Sequence, residues 1–396
     1  MPLFPIPASV RPDRMPVVEI DRAALIANWR MLDSRNPGAR TGAAVKANGY
    51  GLGAAEVAAA LSEAGCRDFF VAWAEEGAAL RDSLDRLPAN ASTASAAPRI
   101  YVLQGLEPAT VPLHLARNLT PVLSTPDDIA VWREGMRATA RRAPAAVQLE
   151  TGMNRLGLGT EDARLAADFA ASDQLDLCLV MSHLASADEA TSQSAEQLDR
   201  FRTLAKLFPS VPRSFANSAG VFLGPDYAFD LTRPGIALYG GEAGPRSSEA
   251  VRTVARLTAS VLQVRVAKTG EAVGYGAAAR LSRDTRIATV GIGYADGYHR
   301  AASGAGVGMR QLRPGAEVIL AGRRVPVLGR VSMDLTLLDI TDLPEDAVRP
   351  GARAEFFGPD MPIDAVATAA GTIAYELLTG LGPRVNRRWP SDGTFS

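Results

Sequence analysis

Between about residues 40 and 240, short apolar segments alternate with Ala-rich segments of helical periodicity, and this alternation constrains the fold more than any other feature. The apolar segments have the length of buried strands, and the segments between them match amphipathic helices, such as residues 54–64, 127–142, 161–171 and 194–208. Eight strands alternating with helices predict an α/β fold, a closed (β/α)8 TIM-like barrel, with a doubly wound open sheet as the main alternative. The predicted strands are residues 42–46, 68–72, 99–103, 119–123, 146–150, 176–182, 213–216 and 231–239.

The pattern changes near residue 250, where β-rich segments are separated by Gly and Pro turns and long helical periodicity is largely absent. The β-rich segments are residues 254–266, 285–292, 317–320, 331–340 and 353–357. We therefore predict three parts: a flexible N-terminal tail over residues 1–16, the barrel over 17–250, and a C-terminal all-β domain over 251–396. Within the barrel, the Ser- and Pro-containing stretch 88–98 is predicted to be a surface loop.

The overall composition excludes several classes of protein. The net charge is −1, which predicts no general attraction to nucleic acid or to an anionic membrane. No apolar stretch of about 20 residues is present, so we predict no membrane span. The N-terminal segment does not resemble a signal peptide, and Cys66 and Cys178 do not form a CxxC pair, so we predict a cytoplasmic protein without a disulfide framework.

Lys46 is the first candidate for chemistry, because it ends the first predicted barrel strand and is followed by a Gly-rich turn. Active sites of these barrels lie at the carboxyl ends of the strands, where a lysine amine can form a Schiff base with an aldehyde cofactor. A solvated lysine at a strand end is the simpler alternative. The turn is not a dinucleotide fingerprint, because Glu56 occupies the position of its third glycine.

Further polar residues follow the later predicted strands. Arg155 could bind a substrate carboxylate with two hydrogen bonds, and a surface arginine in a turn is an equally good interpretation from the local sequence. His183 follows the sixth strand, Asn217 and Ser218 follow the seventh, and Arg233 lies in the eighth. The loops after the last two strands commonly bind phosphate in such barrels. The spacing of His114, His183 and His299 is not that of metal ligands, so we predict no metal.

These segments together resemble alanine racemase, a family of fold-type III pyridoxal-phosphate enzymes. The resemblance spans about residues 17–380 and is highly specific, because the motifs fall in the family's order at compatible spacing. The motifs are AVKANGYG at 44–51, TGMNRLG at 151–157, ANSAG at 216–220, RPGIALYG at 233–240, GYG at 274–276, GYADGY at 293–298 and RVSMD at 330–334.

The resemblance implies pyridoxal 5′-phosphate as cofactor and a two-base racemisation of L-alanine and D-alanine, supplying D-alanine for peptidoglycan. Lys46 would hold the cofactor and act as one base, and Tyr275 would be the second base. Arg155 would contact the substrate carboxylate and the cofactor's phenolic oxygen, Arg233 the pyridine nitrogen, and His183 would hydrogen-bond to the tyrosine and to Arg233. The implied cofactor-phosphate positions are Tyr50, Ser218, Gly235, Ile236 and Tyr375, with Gly235 and Ile236 donating through backbone N–H groups, and Asn217 is a further implied cofactor-binding residue.

The resemblance also implies a homodimer with shared active sites, because Tyr275 and Met333 of the family reach the site from the partner subunit. Met333 would lie at the substrate methyl pocket, and Tyr294, Arg300 and Arg330 along the entry corridor. The family's first strand, here about residues 17–20, would join the β domain rather than the barrel.

One position departs from the family pattern. The family commonly has a carbamylated lysine where this chain has Gln148, and an aspartate where it has Glu150. We predict no carbamate, and an Arg155 held by the Gln148 side-chain oxygen with help from Glu150 or a small anion. The departure keeps a broader amino-acid racemase open as an alternative. A non-catalytic pyridoxal-phosphate-binding protein and a fold-type III decarboxylase are less favoured.

Overall fold

A computed structural model of the chain describes residues 14–87, 97–172, 174–248, 250–304, 315–390 and residue 395. The chain divides into two compact units, Leu25–Arg252 and the segments up to Ala24 and from Thr253 onward. Most of the predicted N-terminal tail and of the predicted loop 88–98 lies outside the described residues. The first elements along the chain are strand β1, Val17–Ile20, and helix α1, Arg22–Ser34.

The unit Leu25–Arg252 is built on parallel strands in chain order. These strands are β2 Arg40–Thr41, β3 Ala43–Ala44, β4 Asp68–Val71, β5 Arg99–Val102, β6 Leu119–Leu123, β7 Ala145–Gln148, β8 Leu177–Met181, β9 Arg213–Ser214 and β10 Leu231–Thr232. Strands β3 to β9 pair consecutively, and β10 pairs with β2. The Gly42 N–H donates to the Thr232 carbonyl at 2.9 Å, and the Arg233 N–H donates to the Ala216 carbonyl at 2.8 Å. These bonds link β10 to both neighbours, so the predicted barrel is confirmed and the open-sheet alternative is wrong.

Helical segments connect the barrel strands. They are α2 Lys46–Tyr50, α3 Ala54–Ala64, α4 Ala74–Leu84, α5 Val111–Ala116, α6 Pro126–Thr139, α7 Thr160–Ala171, α8 Gln193–Ala205, α9 Ser218–Val221 and α10 Pro225–Ala228. Helix α6 shows why the sequence starts a helix there, since Pro126 opens it and the Thr125 hydroxyl accepts the Asp128 N–H at 3.1 Å. It buries Ile129 and Trp132 and ends earlier than the predicted 127–142, because Ala140 adopts a left-handed conformation.

The last predicted barrel strand is shorter than expected. Residues 231–239 form the two-residue strand β10 and then a 3-10 turn, Ile236–Tyr239. Pro234 separates the two, because it has no N–H group to donate to a sheet. The segment after β10 therefore turns instead of extending a strand.

The other unit is a mostly antiparallel β structure that also contains β1. Its later strands are β11 Ala255–Ala267, β12 Ala272–Val273, β13 Ala279–Arg280, β14 Thr285–Val290, β15 Glu317–Leu320, β16 Arg323–Pro326, β17 Thr336–Asp339, β18 Arg353–Phe357 and β19 Asn386–Arg388. The main sheet has the order β16-β15-β18-β11-β1-β19, with β14 pairing β11 and β17. Strand β1 is antiparallel to β11 and parallel to β19.

The expectation of an all-β domain was wrong in one respect. Helices α11, Ile363–Ala370, and α12, Ala374–Thr379, lie in this unit. Helix α11 buries Ile363, Val366, Ala367 and Ala370, which is the 3.6-residue spacing of an amphipathic helix. Two short helices in a β-rich segment were missed because each spans only two turns or so. No helix among the described residues is long and apolar enough to cross a membrane.

Candidate active site

Five predicted site residues follow the carboxyl ends of different barrel strands. Lys46 follows β3, Arg155 lies in the loop after β7, His183 follows β8, Ser218 follows β9 and Arg233 follows β10. In a parallel barrel these ends form one face. The electrostatic influence of Arg155 and Arg233 reaches both Lys46 and His183, so the structure brings these side chains together.

The chain reverses its handedness directly after Lys46. Ala47, Asn48, Gly49 and Tyr50 have φ values of 53°, 55°, 62° and 53°, all left-handed. For a residue with a Cβ atom this conformation costs about 1–2 kcal/mol, and only Asn among the three tolerates it readily. The turn fixes the direction in which Lys46 leaves its strand, and other contacts must compensate for its strain.

Burial lowers the pKa of the Lys46 amine, and the charges of Arg155 and Arg233 lower it further, whereas Glu76 opposes the change. A lowered pKa increases the fraction of neutral amine, which is the form that attacks an aldehyde or accepts a proton. This environment distinguishes Lys46 from the solvated strand-end lysine of the simpler interpretation.

Arg233 is buried. Its Nη1 donates to the Ser214 Oγ at 2.5 Å and its Nη2 donates to the Ser182 carbonyl at 2.6 Å. Burial lowers the pKa of Arg233 to about 9, which leaves the guanidinium charged at neutral pH. The predictions had missed Ser182 and Ser214; their positions at the carboxyl ends of neighbouring strands were the only signal in the sequence.

His183 is a neutral imidazole at physiological pH. Burial lowers its pKa to about 3, with contributions from the charges of Arg233, Arg155 and Lys46. In the parts of the chain that the structure describes, its ring makes no hydrogen bond to Arg233, whose donors go to Ser182 and Ser214. The predicted hydrogen bonds of His183 to Tyr275 and to Arg233 therefore stay predictions.

A buried polar network supports the loops that carry His183 and Arg155. The Gln197 Nε2 donates to the His183 carbonyl at 2.9 Å and to the Thr151 Oγ1 at 3.3 Å, and its Oε1 accepts the Ala185 N–H at 2.9 Å. Thr151 Oγ1 lies 2.7 Å from Ser182 Oγ. One glutamine from α8 thus links the loop after β7 to the loop after β8.

Three of the predicted phosphate-binding residues, Ser218, Gly235 and Tyr50, lie against one another in the barrel unit. The Ser218 Oγ accepts the Gly235 N–H at 2.7 Å and the Ala237 N–H at 3.3 Å. A Cβ atom on Gly235 would lie 2.1 Å from the Tyr50 hydroxyl oxygen, so only glycine fits there. Tyr50 cannot move aside easily, because it is buried and stacks on Tyr239 at 4.5 Å.

Asn217 and Ile236 lie next to Ser218 and Gly235 in the chain. The Asn217 Oδ1 accepts the Gly220 N–H at 3.0 Å and its Nδ2 donates to the Leu184 carbonyl, so Asn217 positions Ser218. Ile236 is buried at the start of the 3-10 turn. The Ser218 and Tyr50 hydroxyl groups, beside a glycine that leaves no room for a Cβ, suit a phosphate group, and the Gly235 N–H, which donates to the Ser218 Oγ, would change partner to donate to it.

The remaining predicted residues lie in the β unit. The Tyr294 N–H donates to the Ser332 carbonyl at 3.0 Å and the Ala295 N–H to the Met333 carbonyl at 2.9 Å, so the Tyr294 and Met333 turns are adjacent. A Cβ on Gly276 would lie 3.0 Å from the Arg330 Nη1, which places the turn of Tyr275 beside Arg330. Tyr275 and Met333 are 74% and 53% exposed.

Asp296 and Arg384 stabilise the turns that carry Tyr294 and Met333. An Asp296 oxygen accepts the Gly293 N–H at 2.9 Å, while Arg384 contacts Asp296 and Asp334 at 2.9 Å each. Tyr375 lies on α12 and Arg300 in a 3-10 turn, Arg300–Ala302, of the same unit. Over the described residues, no group of three or more His, Cys, Asp and Glu side chains could hold a metal ion.

The chain matches known proteins over nearly its whole length. The family model described as alanine racemase, N-terminal domain, matches residues 20–243, and alanine racemase, C-terminal domain, matches residues 254–389. The chain belongs to the alanine racemase family. The alanine racemase of Rhizobium meliloti (strain 1021) is 48% identical over 375 residues, which are 93% of this chain and 95% of that protein.

A second related sequence and a solved structure indicate the same family. A protein of Agrobacterium fabrum (strain C58) named "Alanine racemase, biosynthetic" is 45% identical, over 93% of this chain and 92% of its own length. The crystal structure of the alanine racemase from Bartonella henselae, described with covalently bound pyridoxal phosphate, has a TM-score of 0.84 and 34% identity, and the match covers 95% of this chain and 99% of that one. The family predicted from the motifs is therefore confirmed.

Within this alanine racemase family chain, Gln148 does not play the predicted part. Its Nε2 donates to the Leu156 carbonyl at 2.8 Å, and the carboxylate of Glu150 accepts the N–H groups of Gly152 and Asn154. Arg155 itself is exposed, and no hydrogen bond or ion pair of Arg155 occurs among the described residues. The prediction that the Gln148 oxygen holds Arg155 was wrong, because both side chains instead shape the loop that carries Arg155.

Proposed function

We propose that this chain interconverts L-alanine and D-alanine with pyridoxal 5′-phosphate bound at Lys46, and that Lys46 and Tyr275 are its two bases. The observation that carries the proposal is the environment of Lys46. A partly buried amine of lowered pKa follows the carboxyl end of a barrel strand, within the electrostatic influence of Arg155 and Arg233. Membership of the alanine racemase family indicates the reaction, and the environment of Lys46 makes its amine suitable for a part in that reaction.

The residues around Lys46 fit such a cofactor. Ser218, Gly235 and Tyr50 would hold its phosphate, Lys46 would bind its aldehyde carbon, and Arg233 would face its ring nitrogen. When bound, the cofactor supplies an electron sink for the charge left when a proton leaves the substrate Cα. Arg233 retains its own proton, because a pKa of about 9 keeps the guanidinium charged. It would therefore donate a hydrogen bond to the ring nitrogen without protonating it, which we expect to limit side reactions.

Racemisation needs a proton removed from one face of the substrate and returned to the other. Two groups on opposite faces accomplish this without rotating the substrate, because one removes the proton from its own face while the other, already protonated, donates a proton to the opposite face. Lys46 is the base on the barrel side. Arg155, exposed and without a protein partner in the described parts of the chain, is available for the substrate carboxylate.

We propose that Tyr275 and Met333 act across a homodimer, as residues contributed by a second copy of the chain. The support is their exposure, since 74% of the Tyr275 and 53% of the Met333 surface is open in the single chain. A base and an apolar pocket wall function only when enclosed, because water competes for their interactions. A partner surface would enclose them.

A broader amino-acid racemase remains the second candidate, favoured by one observation. Gln148 bonds to the Leu156 carbonyl, so no charged group from this position orients Arg155. Looser control of the substrate carboxylate would permit other side chains. A pyridoxal-phosphate carrier without a catalytic domain is disfavoured by the family match over residues 254–389. The decarboxylase is disfavoured by Arg233, because that reaction needs a stronger electron sink.

We further propose that the product D-alanine supplies peptidoglycan synthesis in the cytoplasm. The Agrobacterium fabrum relative is named biosynthetic, which supports the anabolic direction. Cys66 and Cys178 are both free thiols, which is typical of a reducing compartment.

The test is an assay of the purified protein with pyridoxal phosphate against a panel of L-amino acids, followed by chiral chromatography. We expect D-alanine as the main product and loss of activity in Lys46→Ala. Borohydride reduction and peptide mapping should place the pyridoxyl mass on the peptide containing Lys46. A label on another lysine would contradict the assignment, and equal rates with several larger amino acids would favour the broader racemase.

A further inference from the structure

The left-handed turn after Lys46 is held by a carboxylate from another loop. The Glu76 Oε1 accepts the Ala47 N–H at 2.7 Å. Its Oε2 accepts the Ala72 N–H at 2.8 Å and the Trp73 N–H at 3.3 Å. Glu76 lies in the first turn of α4 and thus ties the turn after β3 to the turn after β4.

The hydrogen bond from the Ala47 N–H to Glu76 is important because it lies at the start of the left-handed turn. Ala47 is the first of four consecutive left-handed residues, a conformation that is unfavourable for Ala47 and Tyr50 because both carry a Cβ atom. Asn48 bonds within its own loop, through its Oδ1 and the Ala54 N–H at 3.0 Å. Glu76 is therefore the side chain that anchors the start of the strained turn to a separate element of the barrel.

The negative charge of Glu76 also acts on the Lys46 amine. The charged groups that influence Lys46 are Arg155, Arg233 and Glu76, and Glu76 alone among these three raises the pKa of the amine. His183, which lies within the influence of Lys46, is neutral near pH 7 because burial lowers its pKa to about 3. Removing the Glu76 charge would leave the amine facing only positive side chains from this set.

We propose that Glu76 is a positioning residue for the active site, whose carboxylate holds the left-handed turn and thereby fixes where the Lys46 amine lies. The inference rests on the proposed function of Lys46. Glu76 acts through backbone N–H groups and through its charge, and it does not contact substrate. Its carboxylate has two oxygens for three N–H donors, a requirement that an amide side chain does not meet.

The test compares Glu76→Gln with Glu76→Asp, which keeps the charge, and with the control Glu75→Gln, an exposed neighbour on the same helix. Three properties of the cofactor-loaded protein are measured: hydrogen exchange of residues 46–54, the pH midpoint of the cofactor's visible absorbance without substrate, and kcat and KM for alanine. We expect Glu76→Gln to increase local exchange at least tenfold and to move the absorbance midpoint to lower pH. We expect kcat to fall at least tenfold with a smaller change in KM, and Glu76→Asp to recover part of each effect.

The proposal would be overturned if Glu76→Gln showed the wild-type hydrogen exchange, absorbance midpoint and kcat. It would also be overturned if Glu76→Gln lost protection from exchange uniformly over the whole chain, or if Glu75→Gln had equally large effects. If Glu76→Gln does not fold, Glu76→Asp decides, since a shifted position of the carboxylate must still change local exchange. Failure of the proposed function looks different. The wild-type protein would then not racemise alanine or carry cofactor at Lys46, while the exchange measurement would still report whether Glu76 holds the turn.

Discussion

Gln197 makes a strong prediction because one fully buried side chain supports two loops of the active site. Replacing Gln197 by Ala removes its bonds to the His183 carbonyl, the Ala185 N–H and Thr151. Thr151 keeps its contact with Ser182, so two backbone groups lose their partner. Each partly buried unpaired group costs about 1 kcal/mol, at the low end of the usual range, and the lost packing adds about 1 kcal/mol. We expect a loss of about 3 kcal/mol.

The assay is urea unfolding at fixed protein concentration, combined with alanine kinetics. The exposed neighbour Asp199→Ala is the matched control and should change stability by no more than about 0.5 kcal/mol. The Gln197→Glu variant sharpens the test, because a carboxylate can accept the Ala185 N–H but cannot donate to the His183 carbonyl. Protonation restores a donor, so its deficit relative to wild type should shrink as the pH falls.

Activity should fall with stability, because the loop carrying His183 loses its anchor. We expect kcat of Gln197→Ala to drop about tenfold, the effect of a small displacement of site groups. A Gln197→Ala protein as stable and active as Asp199→Ala would refute the reasoning. A pH-independent deficit in Gln197→Glu would refute the assigned donor role.

Two further predictions concern His183 and Gln148. The pKa of His183 is lowered to about 3 in the folded chain, so the unfolded chain binds the proton first and stability is lost as the pH falls below the usual histidine value. Between pH 7 and pH 5 the free energy of unfolding should fall by about 2 kcal/mol because of His183. The His183→Gln variant should lack this part of the acid sensitivity in urea unfolding, and an unchanged dependence of its unfolding free energy on pH would contradict the prediction. Because Gln148 cannot be carbamylated, alanine racemisation should not respond to bicarbonate, whereas Gln148→Lys should fold and show in intact mass the addition of carbon dioxide; bicarbonate activation of the wild type would show that Gln148 is misassigned.

The sequence predicted the barrel well because apolar segments bounded by polar turns mark buried strands directly. It overextended the last strand, since Pro234 and Gly235 interrupt it, and it missed α11 and α12, which are too short for a clear period. Single residues at strand ends, such as Lys46 and Arg233, were identifiable from motifs. Their partners Ser182, Ser214 and Glu76 were not, because each contact joins separate strands or loops and leaves no local pattern.

Gln148 shows the limit of an argument from spacing alone. Its two-residue separation from Glu150 suggested that both side chains point toward Arg155. The loop instead folds back through a bridge between Leu149 and Leu158, which brings the Leu156 carbonyl to the Gln148 amide. Gly157 permits this close return, because a Cβ there would lie 2.6 Å from the Glu150 nitrogen. Only the folded loop reveals which donor meets which acceptor.

The central claim, two bases from two subunits, is tested most directly by mixing two inactive variants. Lys46→Ala and Tyr275→Phe should each be nearly inactive and dimeric. After subunit exchange, verified by native mass spectrometry, one site of each mixed dimer keeps both bases, so about one quarter of wild-type activity should return in a symmetric dimer. Mixed dimers that form without any recovery of alanine racemisation would contradict the account, as would a fully active monomer.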